Sequence, residues 1–131
     1  MDYEAMKKDR FTRNTFSHLL GVYPGEVHEG YAEAFLPVKP EFLNINGSIH
    51  GGVLFTLSDV TANAAAVTYG DIAVTSTADY NYLNAAADAS LLRAEAYVIK
   101  RGRRIITVEC KLYDEKGKIL TASIMTFCTV S

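Results

Sequence analysis

The sequence predicts an α+β fold in which an antiparallel sheet of about five to six strands wraps around one central helix. Three observations carry that prediction. The run from Val53 to Val67 is apolar on every side, with Asp59 its only charge, the pattern of a helix buried all round and too short to cross a bilayer. Four later segments, at 72–83, 89–100, 103–113 and 118–130, alternate with period two, as Leu92, Ala94, Ala96 and Val98 do against Arg93, Glu95 and Tyr97. The connections between the last three are as short as Arg101-Gly102 and Glu115-Lys116-Gly117, which makes those strands antiparallel hairpins. A strand of about 12 residues reaches about 40 Å, enough to curve around the helix and bury it completely. At 131 residues the chain is one domain.

The elements follow in order. Residues 2 to 20 read as a short amphipathic helix with Phe11, Phe16, Leu19 and Leu20 on its apolar side, stopped by Gly21. Pro24-Gly25 marks a turn, and residues 30 to 36 form a strand that Pro37 and Pro40 end. The segment Asn44 to Gly52 leads into the buried helix, which Tyr69-Gly70-Asp71 terminates. The four long strands then run as an antiparallel meander.

Composition excludes several classes. Lys plus Arg number 13 against 15 Asp plus Glu, a net charge of -2 that argues against a nucleic-acid binder. With 49% hydrophobic and 21% charged residues the chain is not disordered. Four of its positive charges nevertheless crowd into Lys100, Arg101, Arg103 and Arg104. Cys110 and Cys128 form no CxxC pair and have no histidine at ligand spacing, so no metal site is expected and free buried thiols are the reading, with pairing across neighbouring strands the alternative. The mixed-charge N-terminus and the lack of a membrane-spanning stretch predict a cytoplasmic protein that engages no membrane.

Gly51 and Gly52 fall at the start of the buried helix, where backbone N–H groups lack intrahelical partners and the helix dipole adds positive charge. Without side chains they allow a substrate carbonyl to approach closely, as an oxyanion site requires. The blander reading is a glycine pair that permits a tight turn into the helix. Asp59, a lone carboxylate within an apolar helix, tips the balance: a carboxylate is seldom placed there without a partner or a task, and a general base or nucleophile is the expectation. The alternative is a carboxylate bonded to Thr56 or Ser58, or one at an exposed helix end. Gly51 and Asp59 are eight residues apart, about 12 Å along a helix, too far to serve one carbonyl from the same chain. If both act in one reaction, the sequence implies a dimer with composite sites.

The motif N-x-x-G-x-x-H-G-G, here Asn44, Gly47, His50, Gly51 and Gly52, followed by Asp59 nine residues after the histidine, resembles the hotdog-fold acyl-CoA thioesterases of the PaaI and thioesterase-superfamily-member-2 type. The resemblance covers nearly the whole chain, making 1–131 a single hotdog domain with an N-terminal helical segment at 1–21. It implies dimers that pair their sheets, usually assembled as homotetramers, acting on acyl-CoA without a cofactor, since coenzyme A is part of the substrate. It further implies that Gly51 donates its N–H to the thioester carbonyl and that Asp59 of the facing subunit acts as nucleophile or activates water. By the same resemblance Asn44 orients water or thioester, and His50 supports Asn44 and the start of the helix. A hydroxyl on the next strand holds the water; Thr75 aligns with it, with Thr77 one alternation further on the same face. Gly52 joins the substrate-binding set.

Arginine forks suit the phosphates of coenzyme A, so Arg101, Arg103 and Arg104, with Lys100, are candidates to bind that tail; a solvated, solubilising turn is the competing reading. Because strand alternation sends Arg103 and Arg104 to opposite faces, only some of the four reach phosphate. His18 and His28 read as structural or exposed, Asp79 as an exposed strand residue, and Tyr80 and Tyr82 as packing residues able to wall an aryl pocket. The resulting expectation is an acyl-CoA thioesterase acting on an aryl-acetyl or medium-chain thioester. Its rivals are a hotdog hydratase or dehydratase, whose differently spaced acid and histidine are absent, and a non-catalytic acyl-CoA-binding module, for which Asp59 is surplus.

Overall fold

The computed structural model describes residues 1–130. Helix α1 spans Tyr3–Thr12 and is capped by Asp2, whose carboxylate accepts the Ala5 N–H at 3.1 Å. Arg13 and Asn14 interrupt it, and α2, Thr15–Leu20, restarts with Asn14 as its N-cap and ends at Gly21, φ 106°. The single helix expected over 2–20 is therefore two. The break reorients the apolar side: Phe11 is buried, whereas Phe16 and Leu19 are 61% and 75% exposed, because α2 turns Ser17 inward instead.

Strands β1, Tyr23–His28, and β2, Tyr31–Pro37, pair antiparallel. Pro24-Gly25 is not a turn but part of β1, where the register shifts between Pro24 and Val27. An edge strand with a bulge tolerates a proline that has no N–H to give. Helix α3, Gly51–Ala66, follows, then a 3-10 turn at Val67–Tyr69, β3 at Ile72–Tyr82, β4 at Leu91–Arg101, β5 at Ile105–Tyr113 and β6 at Ile119–Val130. All six strands form one antiparallel sheet in the order β1-β2-β4-β5-β6-β3.

That order corrects the expected meander. The turns at 102–104 and 114–118 close the β4-β5-β6 hairpins as foreseen, but β3 lies beside β6 at the sheet edge and β4 pairs with β2. Residues 83–90 are too long for a tight turn, so β3 and β4 need not be neighbours.

The core lies between α3 and the concave face of the sheet. Ala32 pairs with Ala96 and Ala34 with Ala94, all with zero exposure, a small-residue floor that lets the alanine-rich second half of α3 approach β2 and β4 closely. Larger side chains, Ile106, Val108, Leu112, Met125 and Phe127, fill the β5–β6 side. Helix α3 is not wrapped completely, contrary to expectation. Gly51, Phe55, Asp59 and Asn63, spaced four apart along one line, stay half-buried, and β3 alone runs beside that line. Tyr82 bonds Gly51, Tyr80 packs on Phe55, Thr75 bonds Asp59 and Asn63 bonds the Ala73 carbonyl.

Candidate active site

The N-terminus of α3 is built by three local bonds. His50 is its N-cap, and its Nδ1 accepts the Gly52 N–H at 2.8 Å, which fixes the ring proton on Nε2. The His50 carbonyl accepts from Val53 and Leu54. Gly51 N–H is left without a hydrogen bond among the described residues. The two glycines expected to act together therefore divide: Gly52 is committed to the cap, and Gly51 alone offers a free donor. Space is tight at both positions, so a side chain there would press on its neighbour. A Cβ on Gly52 would lie 3.0 Å from His50 Nδ1, and one on Gly51 3.1 to 3.2 Å from the Tyr82 ring and hydroxyl.

Upstream, Asn44 organises the loop. Its Oδ1 accepts the N–H groups of Asn46 and Ser48, at 2.9 and 3.1 Å, and Gly47 turns with φ +80°. Asn44 and His50 share no hydrogen bond among the described residues; each serves its own turn, and the support expected between them is not present within one chain. The amide nitrogen of Asn44 keeps its donors. Asn44, Ser48, Gly51, Leu54, Tyr82 and Leu83 line a cleft of about 280 Å³ at this end of the helix.

Two turns further along α3, Asp59 is half-buried instead of sealed in the core. Its Oδ1 accepts the Thr75 hydroxyl at 2.7 Å, not a bond from Thr56 or Ser58, whose hydroxyls go to the Gly52 carbonyl and the Tyr80 hydroxyl. Thr77 does not share this face. The β3–β6 register shifts between Thr75, opposite Phe127, and Thr77, opposite Thr126, so the bulge at Ser76 sends Thr77 to the convex side, where it bonds Thr126 Oγ1 at 2.6 Å. Simple alternation could not foresee this.

The aromatic residues of β3 form a wall. The Tyr80 ring lies 5.0 Å from Phe55 and 4.8 Å from Tyr82, and Tyr82 donates to the Gly51 carbonyl at 3.0 Å. Burial pushes the Tyr80 hydroxyl above the usual phenol range, so it stays neutral between Ser58 and Thr121. The Gly51-to-Tyr82 contact, missed in the sequence, is visible there only as a strand tyrosine of the right parity.

The basic cluster is split by a bulge between Val98 and Lys100. Lys100 pairs with Thr107 on the convex side, while Arg101 binds Asp71 through two nitrogens, at 2.9 and 3.3 Å, and stacks on Tyr69. Arg101 is thus committed to the α3–β3 junction and is not a free fork. Arg103 and Arg104 have no acidic partner among the described residues and line a cleft of about 810 Å³ with Asp71, Ile105, Cys128 and Val130. The two cysteines are both free.

A family model for the thioesterase superfamily matches residues 46–121, the stretch that holds the Gly47-to-Gly52 turn, α3 and most of the sheet. The chain belongs to the thioesterase superfamily. It is a PaaI-like hotdog-fold thioester hydrolase. A conserved protein from Pseudomonas aeruginosa is 31% identical and superposes with a TM-score of 0.86 over 94% of this chain and 98% of that one. The acyl-coenzyme A thioesterase PaaI of Escherichia coli is 28% identical over 99 residues, 76% of this chain and 71% of PaaI. The PaaI structure gives a TM-score of 0.90 over 99% of this chain and 91% of its own. A hypothetical thioesterase protein from Streptococcus pneumoniae, solved with coenzyme A, gives 0.87 at 22% identity, over 95% of this chain and 97% of that one.

Proposed function

We propose that this thioesterase hydrolyses an acyl-CoA to a free acid and coenzyme A in a site completed by a second copy of the chain. One observation carries the reading: the unbonded Gly51 N–H and the Asp59 carboxylate, held by Thr75, sit on one helix about 12 Å apart. The edge strand beside them supplies the way to unite them. Of the eleven residues of β3 only Ala73 is buried and only Tyr80 half-buried, and its outer backbone edge has no partner among the described residues. A second copy adding its β3 antiparallel about a two-fold axis sets the Ile72 end of one strand against the Tyr82 end of the other. Asp59 and Thr75 of one copy then approach Gly51 and Asn44 of the other.

In such a site the thioester oxygen lies on Gly51 N–H, where the helix dipole favours the charge that develops. Asp59, oriented by Thr75, takes a proton from a water held with the help of Asn44, and the water oxygen bonds to the carbonyl carbon. Collapse of the oxyanion breaks the carbon–sulfur bond, and the thiolate leaves with the proton Asp59 returns. In the alternative route an Asp59 oxygen bonds to the carbonyl carbon and the carbon–sulfur bond breaks, releasing the thiolate and leaving a mixed anhydride, which water hydrolyses to the free acid and the Asp59 carboxylate. Neither route draws on a metal or cofactor. His50 acts by holding the helix start, and Gly52 by accommodating His50.

Likeness to solved neighbours supports the substrate class. The Streptococcus pneumoniae thioesterase was crystallised with coenzyme A, and two further structures of it carry an Asp-to-Ala and a Thr-to-Ala substitution sixteen positions apart, the separation of Asp59 and Thr75. The Phe55, Tyr80 and Tyr82 wall suits an aryl-acetyl or medium-chain acyl group. We assign the protein to the cytoplasm as a homotetramer, a pair of such dimers. The test is thiol release from a panel of aromatic and aliphatic acyl-CoA thioesters. Asp59→Asn, which keeps the shape and can still accept from Thr75, is expected to lower kcat by about 10²-fold or more without lowering Tm; full activity in that variant would sink the assignment.

A further inference from the structure

We propose that Arg10, on the N-terminal helix, belongs with Arg103 and Arg104 to the subsite for the phosphorylated tail of the CoA thioester. The inference rests on the proposed acyl-CoA reading and adds a residue ninety positions away in sequence from the basic hairpin. Two clefts border the start of β3. One, of about 490 Å³, is lined by Asp9, Arg10, Arg13, Asn14 and Ile72. The other is the Arg103–Arg104 cleft, which ends at Val130. Ile72 pairs directly with Val130, and Cys128 with Ile105, so the clefts flank one corner of the sheet.

The charge at that corner is not balanced. Asp9 is bound by Arg13 at 2.5 Å and Asp71 by Arg101 at 2.9 Å, so both acids in the two clefts already have cations. Arg10, half-buried, has no acidic partner among the described residues, and neither do Arg103 and Arg104. Three guanidinium groups without acidic partners among the described residues thus line the two clefts that meet the Ile72–Val130 pair, in a chain whose net charge is -2. Such an arrangement suits a multiply charged phosphate ligand, because guanidinium forks match phosphate oxygens. The corner also lies where the tail must pass. With β3 paired about a two-fold, the Ile72 end of one copy faces the Tyr82 end of the other, beside Gly51. A thioester held on Gly51 of one copy sends its tail over the arginines of the copy that supplies Asp59.

A cation in the last turn of α1 also favours the helix dipole, so Arg10 has a structural alternative. Calorimetry with free coenzyme A, adenosine 3′,5′-bisphosphate and pantetheine separates the two. Arg10→Ala is expected to weaken coenzyme A and the bisphosphate about tenfold, to leave pantetheine binding as it is, and to flatten the salt dependence of coenzyme A binding. Arg10→Lys should recover part of the loss. Lys8→Ala, an exposed cation on the same helix, controls for net charge. Unchanged coenzyme A affinity in Arg10→Ala, an equal loss in Lys8→Ala, or an equal loss for pantetheine would overturn the subsite. Because the measurement needs no turnover, a protein that binds coenzyme A through Arg10 but releases no thiol from any acyl-CoA would refute the proposed reaction and leave the subsite standing.

Discussion

Cys110 and Cys128 show how far apart two residues of one type can be driven by placement. Cys110 is fully buried on the α3 face of β5, and desolvation pushes its thiol up to about 12. Cys128 is half-buried on the convex face of β6, opposite Ile105. Because the thiolate is the reactive form, a disulfide reagent at pH 8 is expected to titrate one thiol per folded chain and two after denaturation. Rapid labelling of both in the native protein would contradict the burial of Cys110. The Tyr97 hydroxyl is likewise raised to about 12, first by its hydrogen bond to Glu95 and then by burial, and it anchors a polar cluster with Arg93 and Tyr31 on the convex side, remote from Asp59.

At the scale of elements, the start of α3 and the β5–β6 turn each depend on one side chain. Gly52→Ala places a Cβ 3.0 Å from the His50 ring and should displace the cap, a loss of about 0.5–2 kcal/mol by thermal denaturation. In a His50→Ala background the same substitution should cost nothing, since the ring it collides with is gone; a persistent penalty would refute the cap. Glu115 accepts the N–H groups of Ser90 and Leu91, at 2.7 and 3.3 Å, tying the loop before β4 to the β5–β6 turn. Those bonds, led by Ser90, hold its carboxyl at about 2 against an ordinary 4.5. A depressed folded-state value stabilises fully above the unfolded value and ceases to do so as pH falls through the folded one. Glu115→Gln is therefore expected to lower Tm at pH 6 and to converge on the wild type between pH 4.5 and pH 2. A difference constant across that range would remove Glu115 from the account.

For the whole molecule, the exposed β3 edge and the 12 Å between Gly51 and Asp59 lead to a complementation test. Asp59→Asn and Asn44→Ala are each expected to be nearly inactive as homodimers. In a mixed dimer one site receives both defects, and the other receives Asp59 from one chain and Asn44 from its partner, both intact. Co-expression of the two variants, with purification of the heterodimer, should restore about half the wild-type activity. An inactive heterodimer would show that each site is built within a single chain.

The sequence by itself determined α3, the four long strands and, through the motif it shares with the thioesterases, the thioester chemistry; the break between α1 and α2 and the strand β1 were not legible in it. Period-two alternation placed the four long strands, an all-round apolar run placed α3, and the spacing of Asn44, His50, Gly51 and Asp59 marked the candidate site, because each is a local pattern. Tertiary structure decided what local patterns cannot carry. The bulge at Ser76 turned Thr77 away and left Thr75 on Asp59; the one between Val98 and Lys100 split the basic cluster. His50 took the Gly52 N–H and left Gly51 free, and Asp71 took Arg101. The long connection at 83–90 released β3 to the sheet edge, beside the half-buried line of α3. Which hydrogen-bond partner captures a group, and which strand lies at an edge, depend on residues distant in sequence, so packing alone selected the free donor, the oriented carboxylate and the open strand.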